Sequence, residues 1–463
     1  MTSCWCAWPK ARLRVRPEVQ GAVVILENKT GRILAMSGGF SHALSQLNRV
    51  TQAIRQPGST IKPLSYLAAL GKGVQPNTLV MDTSLTLPPI GSDRAGEGNY
   101  WRPKNYDGRS GGVLTLRRAL EKSRNLATVR LLSGGIEKKP EDSLNRLCDL
   151  AVEAQIYREC LRLYPFVLGA QPVRPIDLAA FYAAIANEGL RPTPHVVESI
   201  ERDGEVIYRH QQTASPIESI DKPAFYQLKS MLQGVVARGT ARGIADLAPY
   251  VAGKTGTSDD ENDAWFVGFT NEVTVAVWIG YDNADGKRRT LGAGATGGAV
   301  AVPIFEPIIQ AVWANAPGKM ELAPPSADAK GQLACKSTRR GGALSECLRV
   351  DAKGKAINTR YVLLSGKGLE QKTEISTDYL SAQRNGQESK RDGQADLSQQ
   401  RADGEGKAAE ANQEKHAGAL LGPSVASSLS LSKPDADRLR AVEELMKAAD
   451  ERIRKLMQIC RGC

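Results

Sequence analysis

Apolar residues recur with a period of two in several parts of the chain, which is the pattern of a β-strand with a buried face. In the second half of the chain this period predicts three consecutive strands, over residues 250–257, 264–270 and 273–281. Only two residues join the last two strands, so we expect them to pair antiparallel. Near the N-terminus, residues 21–27 and 32–36 flank a turn and predict a β-hairpin.

Helical spacing of apolar residues predicts helices over residues 59–71, 115–132, 175–188 and 223–236. The first helix follows a Pro-Gly turn, and Pro63 fits a helix only within its first turn, which supports a start near Ser59. The second is interrupted at residues 123–125, where polar side chains meet a helix junction. Residues 76–112 are rich in Pro, Gly, Asn and Asp and predict a loop.

The composition changes outside the part that ends near residue 317. Residues 325–432 contain few large apolar side chains, so they cannot bury enough surface to offset chain entropy, and we predict a disordered tail. Residues 433–458 predict an amphipathic helix of the kind used for docking or for a coiled coil rather than as a membrane anchor. Residues 1–17 form a short, irregular, basic segment with Cys and Trp.

A net charge of +11 and a pI near 9.2 suit an anionic surface, which could be phospholipid head groups, an acidic wall polymer or nucleic acid. The sequence has no zinc finger and no tract of basic residues interleaved with aromatics, so we predict no nucleic-acid partner. It also has no apolar run of about 18 residues, the length that a transmembrane helix needs. We therefore expect membrane association only through a missing N-terminal region.

The cysteines fall in close pairs, Cys4 with Cys6, Cys148 with Cys160, Cys335 with Cys347 and Cys460 with Cys463. Disulfide pairing would suit an oxidising compartment such as a periplasm. No second Cys or His pair at zinc spacing accompanies the terminal Cys-x-x-Cys, so we predict no metal site. No pattern in the sequence indicates a cofactor.

Ser59 and Lys62 are the first candidates for chemistry. Residues three apart share a face of a helix, so the Lys62 amine can reach the Ser59 hydroxyl and take its proton. The same Ser-x-x-Lys spacing recurs at residues 219–222 and 430–433, but neither begins a convincing helix after a Pro-Gly turn. The local context therefore favours Ser59 as a nucleophile.

Ser123 and Asn125, at the helix junction, are the second pair of candidates. A hydroxyl and a carboxamide two positions apart could relay a proton and bind a substrate amide. The alternative is that they only cap a helix.

Residues 254–257 are the third motif, Lys254, Thr255, Gly256 and Thr257, in a predicted strand. Lys254 and the two hydroxyls form a carboxylate site, and Gly256 lets another backbone approach the strand edge. A glycine-rich phosphate loop is disfavoured because the G-x-x-x-x-G-K spacing is lacking.

With these motifs in this order, the chain resembles the transpeptidase domain of bifunctional, class A penicillin-binding proteins. The resemblance covers residues 18–317 and includes the segments 31–36, 55–59, 105–108, 263–268 and 296–298. It implies an α+β fold of the penicillin-binding and serine β-lactamase type, with about five antiparallel strands and helices on both faces. The membrane anchor and glycosyltransferase domain of such proteins have no counterpart in residues 1–17, so we carry neither over.

The resemblance also implies a reaction on the outer side of the cytoplasmic membrane, in the periplasm. Ser59 would attack a D-Ala-D-Ala stem peptide of peptidoglycan, or a β-lactam, with Lys62 as the base. The C-terminal helix would be a docking site for cell-wall synthesis proteins. The implied roles of the other residues are proton relay for Ser123, substrate amide binding for Asn125, and carboxylate binding for Lys254, Thr255 and Thr257.

Two other functions stay open. With water as acceptor, the same chemistry makes a DD-carboxypeptidase or a β-lactamase. Glu141 with Leu144 and Asn145 matches the setting of the deacylating glutamate of class A β-lactamases, although residues 140–142 are also typical of an acidic helix N-terminus. The third function is non-enzymatic, a β-lactam sensor or an inactive scaffold that docks through its C-terminal helix.

Overall fold

The computed structural model describes residues 17–90, 100–283, 286–315, 318–337, 345–357, 359, 362–365 and 367–372. Apart from residue 100, these residues belong to one compact unit. The helix predicted over residues 433–458, almost all of segment 1–17 and the cysteines near both termini lie outside the described residues.

The α-helices are α1 Lys62–Gly71, α2 Leu116–Glu121, α3 Asn125–Arg130, α4 Pro140–Glu153, α5 Pro175–Ala186, α6 Lys222–Arg238, α7 Val302–Asn315 and α8 Ala327–Lys330. The strands are β1 Gln20–Glu27, β2 Ile33–Ser37, β3 Leu79–Asp82, β4 Gly112–Thr115, β5 Leu190–Pro192, β6 Ser199–Arg202, β7 Glu205–Arg209, β8 Ala214–Pro216, β9 Ala252–Thr257, β10 Asp263–Phe269, β11 Val273–Gly280, β12 Leu333–Ser337, β13 Ser345–Arg349, β14 Val362–Ser365 and β15 Gly368–Gln371.

The central sheet is antiparallel, with the strand order β2-β1-β11-β10-β9. The predicted hairpins are confirmed, because β1 pairs with β2 and β10 pairs with β11. Strand β1 also pairs along its whole length with β11, which joins the N-terminal hairpin to the later strands. Strand β9, which carries the third motif, is an outer strand of this sheet.

Helices cover both faces of the central sheet. Phe266 and Phe269 of β10 are three positions apart, so their side chains point to opposite faces. The ring of Phe266 packs edge-on against Phe305 of α7, with 4.8 Å between centroids, and Phe269 lies 6.5 Å from Tyr182 of α5. Every residue of β10 is buried, as a strand covered on both sides requires. The predicted fold class is confirmed.

One stretch of the described residues, Gly297–Asn315, is long and apolar enough to cross a membrane. It consists of a π-helical turn that continues into α7. Phe305 and Ile309 of this stretch are fully buried in the main hydrophobic core. The share of the apolar window that is buried inside the domain is 33%, and packing accounts for the apolar side chains on that face.

Helix α1 is enclosed by the domain. Its residues from Lys62 to Leu70 are all buried, as expected for a helix that is apolar on every side. A 3₁₀ turn over Gly58–Ile61 leads into α1, and Pro63 stands in its first turn, as the sequence predicts. Ser59, in the 3₁₀ turn, is only half-buried.

A second sheet, with the order β15-β14-β3-β4, corrects two predictions. The segment 76–112, predicted as a loop, contains β3, and β4 begins at its last residue, Gly112. The prediction of disorder from residue 325 was wrong for the described residues between 327 and 371, where α8 and the strands from β12 to β15 form.

Contacts between residues far apart in sequence hold this C-terminal segment. Strand β14 pairs in parallel with β3, and the Arg349 guanidinium forms an ion pair of 2.6 Å with Asp221. A disulfide joins Cys335 to Cys347. Low apolar content does not reveal such contacts, which explains the wrong prediction. The disulfides Cys335–Cys347 and Cys148–Cys160 confirm two of the predicted cysteine pairs.

Candidate active site

Close contacts between backbones set the position of Ser59. Gly58 has a φ of +50°, and a Cβ there would lie 2.4 Å from the carbonyl oxygen of Thr257 in β9. A Cβ at Gly256 would lie 2.4 Å from the carbonyl oxygen of Pro57. Glycine at both positions therefore lets the segment that carries Ser59 lie directly against β9.

Lys62 connects the first motif to the second. Its side chain is fully buried in the first turn of α1. Its Nζ donates hydrogen bonds to the carbonyl oxygen of Ser123 at 2.7 Å and to Asn125 Oδ1 at 2.5 Å, and lies 3.2 Å from Ser123 Oγ. The Lys62 backbone N–H donates to the Ser59 carbonyl, so the two residues are one helical turn apart.

Lys254 connects the third motif to the same cluster. Its side chain is fully buried, and its Nζ donates to Ser123 Oγ at 2.9 Å and to the Thr255 carbonyl at 3.0 Å. The hydroxyl of Ser123 is therefore within hydrogen-bond reach of both lysine amines. The structure thus brings Lys62, Ser123, Asn125 and Lys254 together.

The two threonine hydroxyls of β9 have different surroundings. Thr255 Oγ1 lies 2.6 Å from Thr240 Oγ1, so this hydroxyl is engaged within the domain. Thr257 Oγ1 accepts a hydrogen bond of 3.2 Å from the Gly297 N–H. A hydroxyl that accepts one hydrogen bond keeps its own proton to donate, so Thr257 remains able to bind an anion.

The second motif lies between α2 and α3, at the predicted helix junction. Ser123 has a φ of +55°, in the left-handed region that serine rarely adopts. The first N–H groups of α3 are capped by Asn105, whose Oδ1 accepts from Asn125 at 2.7 Å and from Leu126 at 3.1 Å. Because Asn105 supplies the cap, the Asn125 side chain is left to contact Lys62. Helix capping therefore does not account for Asn125.

Burial changes the protonation of both lysines. It lowers the pKa of Lys62 well below the usual value, and the positive charges of Lys254 and Arg124 lower it further, while Asp82 opposes them. Burial also lowers the pKa of Lys254 to about 7. An amine with such a pKa can be neutral near neutral pH, and it can then accept a proton.

These groups are of the kinds that a nucleophilic acyl-transfer site requires. They include a hydroxyl at a helix start, an amine one helical turn further on, a second hydroxyl within reach of two amines, and the edge of an outer strand. Within the described ranges, no group of three or more His, Cys, Asp or Glu side chains is placed to hold a metal ion.

The sequence motifs do not include Asp82, and they left two interpretations of Glu141 open. Asp82 is fully buried and forms an ion pair of 2.6 Å with Arg124. In the sequence, Arg124 stands between the two residues of the second motif. The only signal for Asp82 in the sequence was its place after the apolar run 79–81, inside a segment predicted as loop. Glu141 is exposed in the first turn of α4, which agrees with the helix N-terminus interpretation.

Two solved structures share this fold. Penicillin-binding protein 1A from Haemophilus influenzae superposes with a TM-score of 0.62 at 23% identity, over 74% of this chain and 55% of that chain. PonA1 from Mycobacterium tuberculosis, in complex with penicillin V, has a TM-score of 0.55 at 22% identity, over 68% of this chain and 83% of that chain. The fold is thus that of penicillin-binding proteins.

The family follows from the sequence match. A family model described as the penicillin binding protein transpeptidase domain matches residues 21–147 and 167–310. This chain belongs to that family. It is 39% identical over 315 residues to penicillin-binding protein 1A of Rickettsia bellii, a match over 63% of this chain. The match spans 38% of the length of that relative.

Proposed function

We propose that this protein is a peptidoglycan DD-transpeptidase that works through a serine acyl-enzyme. Ser59 Oγ attacks the carbonyl carbon of the penultimate D-Ala of a stem peptide, and the peptide bond to the terminal D-Ala breaks. The terminal D-Ala leaves with a proton. An amine of a neighbouring stem then takes the acyl group, which crosslinks the two peptides and returns the proton to Ser59.

Lys62 is the base of this reaction. Burial lowers its pKa, so more of the amine is neutral than in an ordinary lysine, and it lies one helical turn from Ser59, whose proton the neutral amine can accept. Ser123 passes a proton to the leaving nitrogen, because its hydroxyl contacts the amines of both Lys62 and Lys254. Acid and base thus belong to one hydrogen-bonded cluster.

The substrate lies along β9 in this proposal. Charged Lys254 attracts the terminal carboxylate, and the Thr257 hydroxyl donates a hydrogen bond to it. The Thr255 hydroxyl can donate as well when Thr240 Oγ1 is the donor in the contact between the two threonines. Asn125 holds the substrate amide. The outer edge of β9, next to Gly256, pairs with the extended peptide backbone.

The backbone N–H groups of Ser59 and Thr257 form the oxyanion hole of the proposed reaction. The close approach of Gly58 to the Thr257 carbonyl supports this role, because it holds the two segments against each other. In other serine acyltransferases one such donor lowers the barrier by about 3 kcal/mol.

A β-lactam would enter the same first step. Attack by Ser59 opens the lactam ring, and the resulting acyl-enzyme is hydrolysed slowly. The observation that carries the proposal is the contact of Ser123 Oγ with both Lys62 Nζ and Lys254 Nζ, which unites the three motifs.

The proposal is tested with a synthetic stem pentapeptide that ends in D-Ala-D-Ala, with and without an acceptor amine. A transpeptidase gives a crosslinked product whose yield rises with the amine concentration. Turnover to the tetrapeptide alone, at every amine concentration, would instead show a DD-carboxypeptidase. Covalent labelling by penicillin without turnover of any peptide would show a sensor.

We propose that the domain works on the outer side of the cytoplasmic membrane, where peptidoglycan stem peptides are. The disulfides Cys148–Cys160 and Cys335–Cys347 support this location, since such bonds persist in oxidising compartments.

A further inference from the structure

Asp82 is a buried acidic residue outside the three motifs, at the C-terminal end of β3. Its carboxylate accepts hydrogen bonds from Arg124 Nε at 2.6 Å, from Asn105 Nδ2 at 3.0 Å and from the Gly111 N–H at 2.8 Å. An ionised carboxylate can only accept hydrogen bonds, so it fixes which atoms of its neighbours turn toward it.

Arg124 and Asn105, the two side chains that donate to Asp82, both connect it to the second motif. Arg124 lies between Ser123 and Asn125 in the chain. Asn105 must turn its Nδ2 toward Asp82, and this orientation presents its Oδ1 to the Asn125 N–H at 2.7 Å. The carboxylate therefore fixes the orientation of Arg124, which lies between the two catalytic candidates in the chain. It also fixes the orientation of Asn105, which caps the helix that starts at Asn125.

We propose that Asp82 is a positioning residue of the acyl transfer, which holds the second motif so that Ser123 and Asn125 meet Lys62. This inference rests on the proposed function. Ser123 has a strained φ of +55°, and such a conformation persists only where its surroundings determine it. The strand that carries Asp82 lies between β14 and β4, so the carboxylate is anchored in a sheet.

Asp107 adds to the same support. The Arg124 guanidinium contacts Asp107 at 2.8 Å through one nitrogen while its Nε contacts Asp82. The Arg124 side chain is 12% exposed, whereas that of Asp82 is 0% and that of Asp107 is 47% exposed. Asp82 is the enclosed partner and holds Arg124 from inside the domain.

The charge of Asp82 provides a readout that a purely structural role would not change. The charged groups that act on Lys62 are Lys254 and Arg124, which lower its pKa, and Asp82, which raises it. Removing the Asp82 charge should therefore lower the pKa of Lys62. The pH below which acylation slows, where Lys62 becomes protonated, should move to a lower value.

The test is Asp82→Asn in the full chain, with the first-order acylation rate and the affinity for a fluorescent penicillin measured across pH. We expect the rate to fall about 10- to 100-fold, as a displacement of about 1 Å causes. We also expect the acid limb of the pH profile to move to lower pH. The matched control is Asp282→Asn, which breaks the ion pair with buried Arg49 elsewhere in the domain and should change neither quantity.

Arg124→Lys tests the positioning of the second motif without changing the charge at residue 124. It keeps the positive charge but loses the planar guanidinium that contacts two carboxylates, so we expect slower acylation with the acid limb in place. If Asp82→Asn acylates like Asp282→Asn with the same pH profile, the inference is wrong. If Asp82→Asn does not fold, an unchanged rate in Arg124→Lys overturns it instead. Absence of acylation in the unaltered protein would overturn the proposed function itself.

Discussion

Replacing Gly58 with alanine adds one methyl group between the segment that carries Ser59 and strand β9. The new Cβ would lie 2.4 Å from the carbonyl oxygen and 2.7 Å from the carbonyl carbon of Thr257. Ordinary contacts between such atoms are about 3.5 Å, so the two segments must separate by about 1 Å. The backbone at Gly58 is also left-handed, with a φ of +50°, which costs an alanine about 1–2 kcal/mol.

The expected result is a large loss of acylation with a moderate loss of stability. A displacement of about 1 Å between reacting groups can lower a rate about 100-fold, so we expect a loss of that size in the rate of labelling by fluorescent penicillin. The strain alone should lower the free energy of unfolding by about 1–2 kcal/mol. Gels of samples quenched at set times after addition of the fluorescent penicillin measure the acylation rate. Thermal unfolding measures the loss of stability separately.

Gly73→Ala is the matched control. Gly73 has a φ of +89°, and a Cβ there would meet no atom within 4 Å. This variant therefore carries the backbone strain without the clash, and it should acylate at the rate of the unaltered protein. Equal acylation rates in Gly58→Ala and Gly73→Ala would refute the view that close contact with β9 positions Ser59.

The two buried lysines, the Cys335–Cys347 disulfide and the position of Glu141 each give one further prediction. Acylation requires a neutral Lys62 and a charged Lys254, and the pKa of Lys254 is about 7. The acylation rate should therefore rise with pH and then decline above about that pH. A rate that still rises at alkaline pH would contradict this. Replacing Cys335 and Cys347 with serine removes a disulfide across a sequence separation of 12 and should destabilise the C-terminal strands by about 3 kcal/mol. Proteolysis of these strands should become faster. Unchanged proteolysis would argue against the prediction. Glu141→Gln should leave hydrolysis of the penicillin adduct unchanged, because Glu141 lies in the first turn of α4, and a slower release would restore the β-lactamase alternative.

Elements with a strong local pattern could be predicted from the sequence. Strands β10 and β11 are almost continuously apolar and are joined by a very short turn, so their pairing followed from local sequence. The same holds for Ser59 and Lys62, whose Pro-Gly turn and helical spacing lie within a few residues of each other. Proximity in sequence made proximity in space predictable.

Elements that depend on distant contacts could not be predicted. Strand β3 has only four residues, and it is formed by pairing with β4 and with β14, which lies far along the chain. The C-terminal segment is polar, and Arg349 and the Cys335–Cys347 disulfide hold it to the domain. Asp82 and Arg124 are 42 residues apart, so no local pattern connects the carboxylate to the second motif. Their relationship appears only when the chain is folded.

The site of covalent attachment of penicillin tests the central claim most directly. The protein is incubated with penicillin and digested, and the modified peptide is identified by mass spectrometry. The account predicts a penicilloyl adduct on Ser59 that is lost in Ser59→Ala and kept in Ser219→Ala, which alters another Ser-x-x-Lys sequence of this chain. An adduct on a different residue, or undiminished labelling of Ser59→Ala, would contradict it.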